Sequence, residues 1–382
     1  MLTFSSKIVC TKFTDKNIFV GWQVALHFAA EKGNVGCAKR LLEHKAVVNV
    51  SDDWGETPLI KAAAACSECA DDCRHVDVIS LLLNNDAKTD MIDLHGCDAL
   101  IRASRSGSVD AVRVLLEHGA NPNHGARALA LHEAATFGHV ECVEALLAAG
   151  AHLHMRNLHG YQPLELATHM DHAGVVECLL QFEGPTAGDA GDSAVVMAVA
   201  SNAVGCLLVL LRHGANPDMV DQAGVPMLHA AIELNHSRIV RMLLKYNATV
   251  NRRLYPTYSR QHTGELHDLC TAVSVDYLTP LMLAVLRDRT SMLSALIAAG
   301  ASLNGIRRIL GNPVARQRLP ALTADSELER WLIECCSKPL TLQLQSALAI
   351  RVRFSPENIS HIYDLPLPRP LLDFVAFSSL DK

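Results

Sequence analysis

Cys66, Cys69, Cys73 and His75 have the types and the closeness of a metal site, reading C-x2-C-x3-C-x-H. Four such side chains, with thiols deprotonated, suffice for one tetrahedral zinc ion. The spacing is tighter than that of a zinc finger, and ligand count alone does not make a site. The same residues also fit an inserted loop whose cysteines partly extend a helix. A second cluster is His152, His154 and His159. Neutral histidines are common on such loops, and a metal or pH-sensing site is the alternative. His27, His132 and His229 recur at one slot of a repeated motif. There the expected role is a hydrogen bond that braces neighbouring loops.

Covalent or hydrolytic chemistry finds little support. His132-Glu133 lacks the second histidine of a zinc-protease helix. The chain has no Gly-rich phosphate loop and no G-x-S-x-G elbow. Asp71-Asp72 sits within the cysteine-rich stretch, with no partner nearby in sequence. We expect no catalytic residue and no cofactor.

Composition narrows the partners. The chain has 382 residues, is 49% hydrophobic and carries a net charge of −6. That balance argues against nucleic acid, which needs clustered Lys and Arg. Aromatics are 5%, which suits an Ala/Leu-rich helical protein. The twelve cysteines are scattered, and Cys37, Cys142, Cys178 and Cys206 fall inside apolar helical patterns. Lys7, Lys12, Asp15 and Lys16 interrupt the apolar stretch that a signal peptide needs. These features predict a reducing compartment, the cytoplasm with the nucleus left open. Ala194 to Leu211 is an eighteen-residue run without charge, the lower length limit of a membrane span.

The positioning elements are repeats. Leu26, Leu59, Leu100, Leu131, Leu164, Val195, Leu228 and Leu281 follow one another at 33, 41, 31, 33, 31, 33 and 53 residues. Fifteen residues after seven of them stands a second leucine: Leu41, Leu115, Leu146, Leu179, Leu210, Leu243 and Leu296. The units close alike, as in Ala46-Val-Val-Asn49, Ala120-Asn-Pro-Asn123 and Ala248-Thr-Val-Asn251. The unit ending near Gly184 lacks this closing tetrad. Thr57-Pro58 and Thr279-Pro280 suit helix starts, because Thr caps an N–H and Pro has none to lose. Gly33, Gly107 and Gly138 suit the turn after a first helix; Gly119, Gly150, Gly214 and Gly300 suit the end of a second. Over residues 21–304 the chain resembles the ankyrin-repeat family. The resemblance implies an all-α solenoid of about eight helix-turn-helix repeats, each burying an apolar face on its neighbours. The eighteen-residue run then becomes one helix pair with its turn at Ser201-Asn202.

Two insertions interrupt the period. One spans the cysteine-rich stretch near residues 66–75. The other, near 252–276, carries Arg252, Arg253, Tyr255, Tyr258 and Arg260. Arg and Tyr are typical interface anchors, so Arg253, Tyr255, Tyr258 and Arg260 form a candidate contact loop for a bound protein. A loosely packed finger is the alternative.

Beyond the repeats the period fails. Residues 305–338 read as a helical connector, with Asp325 or Ser326 capping a short helix through Cys336. Leu328, Trp331, Leu332 and Cys335 would form its apolar stripe. Thr341-Leu342, Ser346 and Ile350 follow, then Leu365-Pro366-Leu367-Pro368, Leu371 and Phe374. Leu342, Ser346 and Ile350 share one helical face while Leu344, Leu348 and Val352 share another, a pattern that implies an external partner. Residues 339–377 resemble a SOCS box, a small three-helix element. Ankyrin repeats followed by such a box resemble the ankyrin-repeat and SOCS-box family, with residues 1–20 an extension and 378–382 a tail. The resemblance implies that Leu342, Ser346 and Ile350 dock on Elongin C, which brings Elongin B. It implies that Leu365, Pro366, Leu367, Pro368, Leu371 and Phe374 meet cullin-5, which brings a RING protein. The family's cysteine is Ser346 here. A buried unpaired hydroxyl costs about 1–3 kcal/mol, against about 1.5–3 kcal/mol from burying Leu342. The implied function is a substrate-recognition adaptor of a ubiquitin ligase, with an unknown protein substrate and neither nucleic acid nor membrane as partner. Alternatives are an ankyrin scaffold whose tail is a structural cap, or a short polyproline ligand at Leu365 to Pro368.

Overall fold

The computed structural model describes residues 25–66, 74–125, 129–183, 189–255 and 277–311, with Arg330, Leu332, Ile333 and Cys336. The chain divides into two compact units, residues 1–167 and 168–382. The first contains α1 (residues 25–31), α2 (Val35–Glu43), α3 (Pro58–Ala65), α4 (Arg74–Leu83), α5 (Ala99–Ser106), α6 (Val109–Glu117), α7 (Ala130–Phe137) and α8 (Val140–Ala148). Its boundary falls inside α9 (Pro163–His169). The second contains α10 (Ala173–Glu183), α11 (Asp189–Ser201), α12 (Val204–Arg212), α13 (Met227–Glu233), α14 (Ser237–Lys245), α15 (Pro280–Leu286), α16 (Thr290–Ala298) and α17 (Asn304–Gly311).

Each unit is built in two layers. In the first, α3 packs on α5 and α5 on α7, while α2, α4, α6 and α8 pack in turn behind them. In the second, α11, α13, α15 and α17 form one row, and α10, α12, α14 and α16 the other. This is the expected solenoid pattern, in which an element buries its face only on its neighbours. All eight marker residues, Leu26 to Leu281, are buried. Six of the seven partner leucines are too, Leu41 being half-buried. In the interrupted repeat Leu82 takes the core position.

Local chemistry explains the helix ends. Thr57 Oγ1 accepts the N–H of Ile60 at 3.3 Å, and Thr279 Oγ1 that of Met282 at 3.4 Å, each with Pro as the first helical residue. Left-handed residues then close the helices on schedule. Gly138, Asp171, Asn202, Asn235 and Asp288 end first helices, and Lys45, Asp86, Gly119, Asn247 and Gly300 end second ones, all with φ between 54° and 90°. Asn and Asp tolerate this conformation better than other non-glycine residues; Lys45 has no such excuse.

The uncharged run divides as the repeat reading requires. Ala194 to Leu211 falls in α11 and α12, with Asn202 at φ 58° between them. No described helix is long and apolar enough to cross a membrane.

The connector begins with structure of its own. Ile306 and Ile309 of α17 are buried, and α17 packs on α15. A Cβ at Gly305 would overlap the Met282 side chain, so a larger residue there would force Met282 to move. Leu332 is buried in a helical stretch, as its place on the stripe predicts, and the carbonyl of Cys336 accepts Arg307 Nη2 at 2.6 Å. Leu328, Trp331 and Cys335 lie outside the residues whose side chains are described, as does the whole of 339–377.

Candidate functional site

Between repeats the chain forms short fingers, and each is held by the same device. Asp52, Asp93, Asn157 and Asp221 each accept two backbone N–H groups on one Oδ1, at 2.8 to 3.0 Å. Such Asx turns replace missing backbone partners. The N–H of the same residue closes the finger on the carbonyl four residues ahead, as Asp52 does on Glu56 at 3.0 Å and Asn157 on Tyr161 at 2.9 Å.

The slot histidines reach those carbonyls. His27 Nε2 donates to Glu56 O at 2.9 Å, His132 to Tyr161 O at 3.1 Å and His229 to Leu278 O at 3.2 Å. The bracing role expected of them is what they perform. Donation from Nε2 leaves Nδ1 of His132 and His229 bare, and both atoms are buried without a hydrogen bond. Burial holds the His132 imidazole below its ordinary pKa and pushes that of His229 down to about 4.

A second ladder runs through the closing tetrads. Asn49 Oδ1 accepts from Lys88 N at 2.8 Å and its Nδ2 donates to Asp86 O at 2.9 Å. Asn123 treats His152 N and Gly150 O the same way, and Asn251 treats Ser302 N and Gly300 O. One amide thus satisfies a donor and an acceptor of the next repeat. At the equivalent site Asp218 accepts from both N–H and hydroxyl of Thr249.

The cysteine-rich stretch resolves differently from a metal site at its two described ends. Cys66 caps α3, and its thiol donates to Ser108 Oγ at 3.0 Å. His75 Nε2 donates to Glu31 O at 3.0 Å. His139 makes the same backward bond from Nε2 to Arg105 O, and His236 a similar one from Nδ1 to Val199 O. His75 is therefore the turn histidine of its repeat, displaced eight positions by the insertion. Its pairing with Val76, as His139 pairs with Val140, was the available signal. Cys69 and Cys73 lie outside the described residues, and among the described residues no group of three His, Cys, Asp or Glu could hold a metal. His152 and His159 each donate a backbone N–H to an asparagine, Asn123 and Asn157.

The first unit offers an apolar and charged finger surface that the sequence reading did not single out. Trp54, Leu94 and Leu158 stand at finger tips, 64%, 67% and 66% exposed. Below them Lys61 bridges Asp52 and Glu56 at 2.9 and 2.7 Å, and Arg102 bridges Glu56 and the buried Asp93. The carboxyl of Asp93 is held below its ordinary pKa by hydrogen bonds from Cys97 N and Arg102, which outweigh desolvation.

In the second unit one finger is enlarged. Leu254 and Leu278 exchange both backbone hydrogen bonds at 2.8 Å. This is the ordinary closure, with the partner twenty-four residues ahead instead of four. Both leucines are buried, while Arg253 and Tyr255 are exposed. Arg253 lies 4.2 Å from the Tyr277 ring centroid, and Tyr255 meets that ring edge-on at 6.3 Å. Arg252 turns away, its Nη1 donating to Asp218 O at 2.6 Å. Of the candidate contact residues, the structure brings Arg253 and Tyr255 together; Tyr258 and Arg260 lie outside the described residues. So do Leu342, Ser346 and Ile350, and the Leu365 to Phe374 set. Tyr277, on the return strand, was missed.

Comparison with known proteins agrees with this architecture. Family models for ankyrin repeats match residues 10–74, 26–126, 115–167, 174–253 and 276–307. An ankyrin repeat domain-containing protein, SAT10, of Stachybotrys chartarum is 27% identical over 84% of this chain and 16% of its own length. Neurogenic locus notch homolog protein 1 of Homo sapiens is 34% identical over 38% of this chain and 6% of its own. SH3 and multiple ankyrin repeat domains protein 2 of Homo sapiens is 28% identical over 55% and 11%. The chain thus spans no more than 16% of the length of these three relatives. Repeat period, inter-repeat ladders and matched models together make it a member of the ankyrin-repeat family, carrying a protein–protein interaction module.

Proposed function

We propose that this chain is a substrate-recognition adaptor of a cullin-RING ubiquitin ligase. Its repeats hold a target protein, and its C-terminal segment holds the ligase. The observation that carries the reading is the order of two sequence features. An ankyrin array is followed, within residues 339–377, by Leu342, Ser346 and Ile350 at helical spacing and then Leu365-Pro366-Leu367-Pro368. The SOCS-box resemblance assigns the first set to Elongin C, with Elongin B, and the second to cullin-5. The chain does no chemistry itself. It raises the effective concentration of activated ubiquitin at a tethered lysine. Exposed finger tips in the first unit and the enlarged finger in the second support the target-binding half.

Capture of purified Elongin B/C and cullin-5 tests the ligase half. Wild type should retain both. Leu342→Asp should lose Elongin C, and Leu365→Ala/Pro366→Ala should lose cullin-5 alone. Wild type that captures neither sinks the reading and leaves an ankyrin scaffold with a structural C-terminal cap.

A further inference from the structure

We propose that Arg253, Tyr255 and Tyr277 form a receptor for an acidic side chain of the bound protein. The proposal rests on the target-binding half of the function above and is independent of Elongin or cullin capture.

The cluster is a product of strand geometry. Successive side chains of an extended strand point to opposite faces. With Leu254 paired to Leu278 and both buried, Arg253, Tyr255 and Tyr277 are left on the outer face. Tyr255 and Tyr277 stand directly opposite, and Arg253 is diagonal to Tyr277. In the fingers held by Asp52, Asp93, Asn157 and Asp221, an Asx side chain occupies the position of Leu254 and accepts backbone N–H groups of its own finger. Here a buried leucine takes that position, and Arg253 and Tyr255 on either side of it are exposed.

The chemistry that fits is a carboxylate. The Arg253 guanidinium lies over the Tyr277 ring, and the residue is exposed. It forms no ion pair among the described residues. A planar fork of donors matches a carboxylate in two parallel hydrogen bonds. Among the described residues of this finger one guanidinium is presented, because Arg252 is committed to Asp218 O. A single cation balances a carboxylate; phosphate, with nearly two charges, calls for a cluster. Two tyrosines beside it supply the rigid aromatic contact typical of interface anchors.

Random-peptide display against the full chain tests this. Wild type should select peptides enriched in Asp or Glu, and Arg253→Glu should shift the selection to Lys or Arg with an unchanged unfolding midpoint. A structural brace could not reverse the charge preference. Should Arg253→Glu fail to fold, Arg253→Gln serves, and the acidic preference should vanish. A selected peptide made with Glu should bind wild type about tenfold more tightly than its Gln version. Selections that yield no peptide, or show no acidic preference, or are identical for wild type and variant, overturn the proposal. So does a phosphotyrosine version that binds more tightly than the Glu peptide.

Discussion

The carbonyl oxygen of Leu278 accepts two hydrogen bonds, from His229 Nε2 at 3.2 Å and from Leu254 N–H at 2.8 Å. One atom therefore ties the root of the enlarged finger both to itself and to the preceding repeat. Replacing His229 by Ala removes one of the two and leaves a gap in a fully buried site. We expect a loss of about 2 kcal/mol in urea unfolding. Amide exchange at Leu254 should quicken, while that at Asn157, in the other unit, should not.

The same buried histidines make stability depend on pH. Both His132 and His229 have folded-state pKa values below the unfolded 6.5, His229 at about 4. Their contribution is fully present above pH 6.5 and is lost as pH falls through the folded value. Between pH 7 and pH 4, His229 alone should remove about 3 kcal/mol. Urea midpoints across that range should fall more steeply for wild type than for His229→Gln. Equal slopes would refute the assignment.

Lys45 adopts φ 62° at the end of α2, where Gly119, Gly150, Gly214 and Gly300 serve other repeats. A side chain there costs roughly 1–2 kcal/mol and Lys45 is exposed, so nothing offsets it. Lys45→Gly should raise stability by about 1 kcal/mol by thermal or urea unfolding, and Asp86→Gly by less. A destabilised Lys45→Gly would contradict the strain argument.

The tetrad asparagines join repeats through two bonds each. Asn123→Ala and Asn251→Ala should each cost about 1 kcal/mol, the exposure of the site keeping the figure low. Asn123→Asp keeps the acceptor for His152 N and loses the donor to Gly150 O, so it should fall between. Urea unfolding of the three variants would show that order or refute it.

Much of this architecture was legible because the core leucines obey a period. Leu26 through Leu281 mark buried positions, and their spacing exposes both insertions. The split of Ala194 to Leu211 followed from the same register. Other features hid where the period breaks. His75 looked like a metal ligand because the insertion moved it away from its counterparts His139 and His236. Tyr277 escaped notice because its partners Arg253 and Tyr255 are more than twenty residues earlier, and only the Leu254–Leu278 pairing brings them together. Helix α17 lay in what read as a connector, though Ile306 and Ile309 are spaced as one face of a helix. The finger tips Trp54, Leu94 and Leu158 could have been found from the Asx residue and glycine that flank them.

The closure at Leu278 has an evolutionary corollary. Because the two ends of the finger meet in one backbone pair, its closure is set by Leu254 and Leu278, whatever the length between them. Lengthening the span from four to twenty-four residues costs only about 1.6 kcal/mol of chain entropy. The position is a socket into which new sequence can be spliced without renegotiating the fold, and the same pair of leucines would accept a foreign loop by protein engineering.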